Sequence, residues 1–149
     1  MLTRVKFKAK HIGPVLADFR EADRQEVWAS GRQTPEEALR TSVEASSQYC
    51  QTFLWNGVPV AICGMSSNSV WGVPWMLATE SITEWGKPFI KEGIIVVDEM
   101  LKIRRQLTNY IDSRNTKSIK WLQFIGFTVA FDAPQMVNGE IFYRFWRLT

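Results

Sequence analysis

The stretch 115–127, NTKSIKWLQFIGF, constrains the chain most. Asn115 precedes an amphipathic run, and Ile125-Gly126-Phe127 closes it. An Asn at that position accepts a bond from a free N–H of a helix's first turn. Ile119, Leu122 and Ile125 recur every three residues and share one helical face, which Trp121 and Phe124 widen. Gly126 stands where a left-handed residue ends such a helix, and Phe127 opens an extended segment. The spacing predicts a short helix turned tightly into a strand.

The rest of the chain divides by the same kinds of signal. Residues 3–10 alternate, with Val5, Phe7 and Ala9 on one face and Arg4, Lys6, Lys8 and Lys10 on the other. That predicts a half-buried edge strand with a wet basic face. His11-Ile-Gly-Pro14 breaks it, and Pro14 suits the first turn of a helix carrying Val15, Leu16 and Phe19. Thr34-Pro-Glu-Glu37 is a capping box that opens a second helix, 35–47. Strands at 51–55 and 58–65 are joined by Asn56-Gly57, the strongest short hairpin signal. A third strand follows at 70–79, where Gly72 and Pro74 predict a bulge or an irregular start. Pro88 opens a long helix reaching 106, with Ile90, Ile94, Val97 and Leu101 in one stripe. A short strand at 107–112 precedes the Asn115 helix, and strands at 127–131 and 140–148 pair after it.

This order is strand, two helices, three antiparallel strands, long helix, strand, short helix, two strands. It predicts an α/β (α+β) fold, with a mixed, mostly antiparallel sheet and helices on both faces. At 149 residues, 46% hydrophobic and 22% charged, the chain reads as one globular domain, 1–149, with a core of its own. No apolar run approaches the ~20 residues that cross a bilayer, and MLTRVKFKAK lacks the core of a secretory signal. A net charge of +3 is too weak to point to nucleic acid. Cys50 and Cys63 have no metal-type spacing and read as thiols of a reducing compartment. His11 is the single histidine, which disfavours a metal cluster or a Ser-His-Asp triad. Seven Trp and nine Phe are many for this length. Trp71, Trp75 and Trp85 flank turn-like segments and are candidates for contact with another protein.

The 115–127 register resembles the last motif of the GNAT acyltransferase superfamily. That motif runs Asn, a small residue three later, Ile or Val, an apolar–Tyr pair, then Leu-Gly-Phe. Here it reads Asn115, Ser118, Ile119, Trp121-Leu122 and Ile125-Gly126-Phe127. The element order also resembles the GNAT fold along essentially the whole chain. The resemblance implies that acetyl-CoA lies against the start of the long helix. A Gln/Arg-x-x-Gly-x-Gly/Ala loop there offers backbone N–H groups on the positive end of the helix dipole. In the matching place Thr83 replaces Gln/Arg, Gly86 fits the central glycine, Lys87 adds a cation, and Pro88 has no N–H to give. Thr83, Gly86, Lys87 and Asn115 are therefore the candidate acetyl-CoA residues, with Glu80 and Glu84 bringing opposing charge. Acyl transfer takes a proton from the amine and returns one to the thiolate. The resemblance puts the acid at the motif Tyr, which is Leu122 here, so the acid is unassigned. Glu80 is the nearest candidate base, although such a residue is more often a solvated loop carboxylate.

Longer phrases at 20–39, 58–65, 74–80, 107–115 and 118–127 resemble a phage-encoded GNAT-like family of short-tailed phages, whose members include internal virion proteins. That resemblance implies a virion-associated or assembly component with acetyl transfer reduced or lost. Its partner would be a phage virion or host protein, and its place the host cytoplasm or the virion. The other reading is a working acetyl-CoA-dependent N-acetyltransferase that modifies a host or phage amine. A pocket between the strands at 76–79 and 107–112 favours the enzyme; Trp75, Trp85 or Trp121 filling that gap favours the binding protein.

Overall fold

Local chemistry sets the first elements of the computed structural model, which describes residues 1–149 apart from the side chain of Thr83. Thr34 Oγ1 accepts the Glu37 N–H at 3.2 Å and Glu37 Oε1 accepts the Thr34 N–H at 2.9 Å, so the capping box opens a helix at Pro35 as expected. The elements in order are β1 (Leu2–Lys6), α1 (Ile12–Ala17), α2 (Glu21–Gly31), α3 (Pro35–Glu44), β2 (Cys50–Trp55), β3 (Val58–Ser67) and β4 (Trp71–Ala78). They continue with α4 (Gly86–Ile103), β5 (Gln106–Asp112), α5 (Thr116–Phe124), β6 (Thr128–Val129), β7 (Gln135–Val137) and β8 (Glu140–Leu148). Short 3-10 turns lie at Ala9–His11 and Glu80–Glu84.

The strands form one mixed sheet in the order β1-β2-β3-β4-β5-β8-β6, with β7 also on β8. Every pair is antiparallel except β4 with β5. Helices cover both faces. Val15, Val27, Leu39, Ile62 and Leu77 pack α1, α2 and α3 on one side. Phe53, Val97, Leu107, Ile119 and Phe145 pack α4 and α5 on the other. Two hairpins use Asn-Gly with positive φ at both residues, Asn56-Gly57 at 49° and 83° and Asn138-Gly139 at 49° and 83°. That twist matches the flanking strands.

Several expectations change. Two helices were expected before β2, and there are three: Asp18 leaves helical geometry and Phe19 bridges to Thr79, which separates α1 from α2. The edge strand is shorter and its faces are used differently. Val5 is 37% exposed, while Arg4 turns inward and donates to Glu99 at 2.7 and 3.1 Å and to Glu92 at 3.3 Å, tying β1 to α4. Paired carboxylates make that inward guanidinium tolerable. β4 keeps regular register past Gly72 and Pro74, and the bulge lies between Phe53 and Leu54 instead. The segment read as a turn before 140 contains β7, a second hairpin arm on β8.

The end of α5 follows the expectation. The Phe127 N–H donates to Leu122 O at 2.9 Å, the Gly126 N–H donates to Gln123 O at 3.1 Å, and Gly126 has φ 104°. This is a Schellman motif with a left-handed glycine. Ile119, Leu122 and Ile125 face the core, but Phe124 is 67% exposed. Replacing Gly126 by Val should cost about 1–3 kcal/mol, because a β-branched residue is strained at that φ. Urea unfolding of the variant against the parent measures it.

Candidate active site

The parallel strands β4 and β5 pair at Trp71 with Gln106 and Gly72 with Leu107, and the register extends no further. Beyond that point they diverge. Asn109 Nδ2 donates across the gap to Pro74 O at 2.7 Å. Farther along, backbone groups that a sheet neighbour would satisfy are met by α2. Thr79 and Ser113 direct their N–H groups to β3 and β8, so those of Ala78 and Asp112 face the gap. Asp23 Oδ2 accepts the Ala78 N–H at 2.9 Å, and Glu26 Oε1 accepts the Asp112 N–H at 3.0 Å. The Arg20 N–H donates to Ala78 O at 2.8 Å. Asp23 and Glu26, three apart on one helix face, thus bridge the two strand ends. Unpaired, these backbone groups would each carry a desolvation cost.

A cavity of about 420 Å³ occupies the gap. Its walls include Met76 and Trp75 of β4, Tyr110 and Ile111 of β5, Asp23 and Glu26 of α2, Gly93 and Val97 of α4, and Trp121 and Leu122 of α5. Residues from both faces of the sheet line it, so it passes between the strands. Trp75 and Trp121 form part of the wall without closing the space, and Trp75 Nε1 is held by Ser46 Oγ at 2.7 Å. Trp85 is 1% exposed and packs against Phe53 and Phe89, away from the gap.

A buried polar cluster forms one end of the cavity. Arg20 donates to Asp23 Oδ1 at 3.1 Å, to Ser118 Oγ at 2.9 Å and to Asn115 Oδ1 at 3.0 Å. Asn115 Nδ2 reaches Glu26 Oε1 at 3.4 Å. Arg114 clamps Asp112 with contacts of 2.7 and 3.0 Å. Burial raises Glu26 from an ordinary 4.5 to about 7; the Asp23 charge adds to this, and the Asp112 N–H and Asn115 amide oppose it. Burial likewise raises Asp23, against the pull of Arg20 and the Ala78 N–H. Cys63 also lines the cavity, and burial pushes its thiol to about 12, which leaves it protonated and inert.

A second cavity of about 220 Å³ lies between the start of α4 and α5, lined by Gly86, Phe89, Lys117, Lys120, Trp121 and Phe124 among others. Ser118 and Trp121 line both cavities. Gly86 has φ 53°, and α4 begins there without a side-chain cap. The N–H groups of Gly86 and Lys87 therefore lie in the first turn, beyond reach of an intrahelical carbonyl, on the positive end of an 18-residue helix. Phe89 stacks on Trp121 at 4.5 Å, and Trp121 Nε1 is buried with no hydrogen-bond partner among the described residues.

The sequence candidates distribute unevenly over this site. Gly86 lines the second cavity and Asn115 the first, while the Lys87 side chain is exposed and lines neither. Thr83 lies outside the described residues. Glu80 lines neither cavity; its Oε1 accepts the Glu21 N–H at 3.2 Å, at the start of α2. Glu84 is exposed and also lines neither cavity. Leu122 is buried in the core. Asn115 does not cap α5 with its side chain, because Arg20 occupies its oxygen. Trp85, an interface candidate, is core; Trp71 and Trp75 are half-buried, with the Arg144 guanidinium 5.3 Å over Trp71 and 5.2 Å over Trp146. The sequence reading missed Glu26, Arg20, Lys117 and Lys120. Lys117 and Lys120 are three apart on α5, a spacing that signals a shared face. Glu26 gave no local signal, since its role arises where α2 crosses the strand ends.

Replacing Asn115 by Ala should cost about 1–3 kcal/mol by stripping Arg20 of a buried acceptor, and chemical denaturation measures this. Glu26 supplies a pH test. Its folded pKa lies above the unfolded one, so ionising it opposes folding; the penalty is absent below about 4.5 and complete above about 7. Glu26→Gln keeps an acceptor for the Asp112 N–H and removes the charge. The variant should match the parent at pH 4 and exceed it by on the order of 2 kcal/mol at pH 8, read by urea unfolding at both values.

No family model matches the chain, and no curated protein matches it. Solved structures do. A protein from Pyrococcus horikoshii OT3 superposes with TM-score 0.74 at 12% identity, covering 100% of this chain and 99% of that one. An acetyltransferase of the GNAT family from Bacillus anthracis gives 0.69 at 11%, covering 99% and 94%. A Salmonella typhimurium structure holding its cofactor acetyl-CoA gives 0.65 at 14%, covering 99% and 93%. The chain has the fold of the GNAT acetyltransferases, as its mixed sheet and helix order show.

Proposed function

We propose that the chain is an acetyltransferase of the GNAT type, which binds acetyl-CoA and passes its acetyl group to an amine. The observation that carries this is the cavity through the gap between β4 and β5, joined by Ser118 and Trp121 to the cavity at the start of α4. The residues present fit the cofactor. Gly86 and Lys87 offer two first-turn N–H groups, and Lys117 and Lys120 lie beside them to complement phosphate charge. Trp121, which lines both cavities, carries a buried Nε1 donor with no partner among the described residues. Bound there, acetyl-CoA would supply a thioester whose carbonyl accepts the amine. The chain's part is to seat the cofactor, hold the amine in the gap and keep bulk water out, with proximity contributing much of the rate. Leu122 gives no proton, and Tyr110 is the phenol that the cavity wall presents.

A second reading keeps the chain as a virion-associated or assembly protein of a phage, acting in the host cytoplasm, with little or no transfer. Buried Leu122 at the acid position favours it, as do half-buried Trp71 and Trp146 flanking Arg144 on the sheet face.

Acetyl-CoA titration by calorimetry separates the two. Saturable one-site binding of about micromolar Kd is expected, weakened at least about tenfold in Lys117→Ala/Lys120→Ala. No heat and no thermal shift at about millimolar acetyl-CoA overturns the enzyme reading and favours the structural one.

A further inference from the structure

We propose that Glu26 is the base of the gap cavity: a primary ammonium group enters between β4 and β5, pairs with the Glu26 carboxylate and gives it one proton. The step balances. An N–H bond breaks with its electron pair left on nitrogen, an O–H bond forms on Glu26, R–NH3⁺ becomes R–NH2, and nothing is oxidised or reduced. What the freed amine then attacks rests on the acyl-transfer reading above.

Three observations lead here. Glu26 belongs to the cavity wall, and its hydrogen bonds, from the Asp112 N–H and Asn115 Nδ2, both go to Oε1. Asp23 beside it is committed at both oxygens, to Arg20 and to the Ala78 N–H. The cations nearest Glu26 are also engaged, Arg20 on Asp23, Asn115 and Ser118, and Arg114 on Asp112. An incoming ammonium therefore meets a carboxylate that forms no ion pair among the described residues. Trp75 and Tyr110 in the same wall present aromatic surface, which suits a cation. Burial holds Glu26 near neutrality, where a base both accepts and releases a proton readily.

Glu26 also braces the Asp112 N–H, and that duty alone needs only an acceptor oxygen. Glu26→Gln keeps the brace and removes the base, so it tells the two roles apart. The probe is n-butylamine, with n-butanol as its uncharged counterpart, followed by amide chemical shifts of the labelled protein. Butylamine should shift Glu26, Tyr110, Asp112 and Asn115 saturably, and butanol should not. E26Q should weaken butylamine at least about tenfold, and Glu80→Gln should not. Binding should also weaken as pH falls through the titration of Glu26. The charged groups facing it are Arg20 just before α2, Asp23 of α2, Asp112 of β5 and Arg114 beyond β5, and β4 contributes none. With acetyl-CoA present, acetylation of butylamine should drop about a hundredfold in E26Q and lose its acidic limb.

Equal butylamine binding by E26Q and parent, or equal binding of butanol, overturns the proposal. Absence of transfer by the parent overturns the proton-taking role. Calorimetry of acetyl-CoA on the same proteins keeps the two readings apart. If acetyl-CoA binds and butylamine ignores E26Q, the base assignment falls and the enzyme reading stands. If butylamine depends on Glu26 but acetyl-CoA does not bind, the ammonium seat stands and the enzyme reading falls.

Discussion

Two carboxylates on one turn of α2 replace the hydrogen bonds that a parting sheet leaves open. Parallel strands that diverge expose N–H and C=O groups inside the protein, where each unpaired group is costly. Asp23 takes the Ala78 N–H from one strand and Glu26 the Asp112 N–H from the other. The gap can stay open because α2 completes what β4 and β5 do not give each other. The cavity, its acidic wall and the anchoring of α2 over the sheet all follow from that substitution.

The same arrangement explains why the site is polar at one end and apolar in the middle. Arg20 offsets the charge of Asp23 and extends to Asn115 and Ser118, which ties α2 to α5. Such a network stabilises only when every member is satisfied, and here each has a partner. The middle of the cavity is walled by Met76, Val97, Ile111 and Leu122. Charge is thus concentrated where α2 arrives, and the remainder of the passage is largely apolar.

Much of the fold was legible because its signals are local. Thr34 and Glu37, Asn56-Gly57 and Gly126 each dictate geometry within a few residues, and each does so in the structure. The site was less legible. Asn115 was read from its neighbours in sequence as a helix cap, yet Arg20, remote in sequence, holds its side chain. Glu80 was read from its place at the end of the strand before the loop, and its Oε1 accepts the Glu21 N–H at the start of α2. Arg4 looked solvated because it alternates with apolar residues, yet carboxylates of α4 draw it in. These depend on contacts between distant segments, which periodicity and capping rules do not encode.

Mechanically, the sheet is two plates on a short hinge. β1 to β4 make one plate and β5 to β8 the other, with direct strand pairing at Trp71/Gln106 and Gly72/Leu107. The hinge is stiff at its pin. A side chain on Gly72 would meet Leu107 Cδ2 of β5 at 2.8 Å, so the plates are held close there. At the far end α2 acts as a strut with one foot on each plate. The width of the gap at that end is therefore set by the reach of two carboxylates, Asp23 to Ala78 and Glu26 to Asp112.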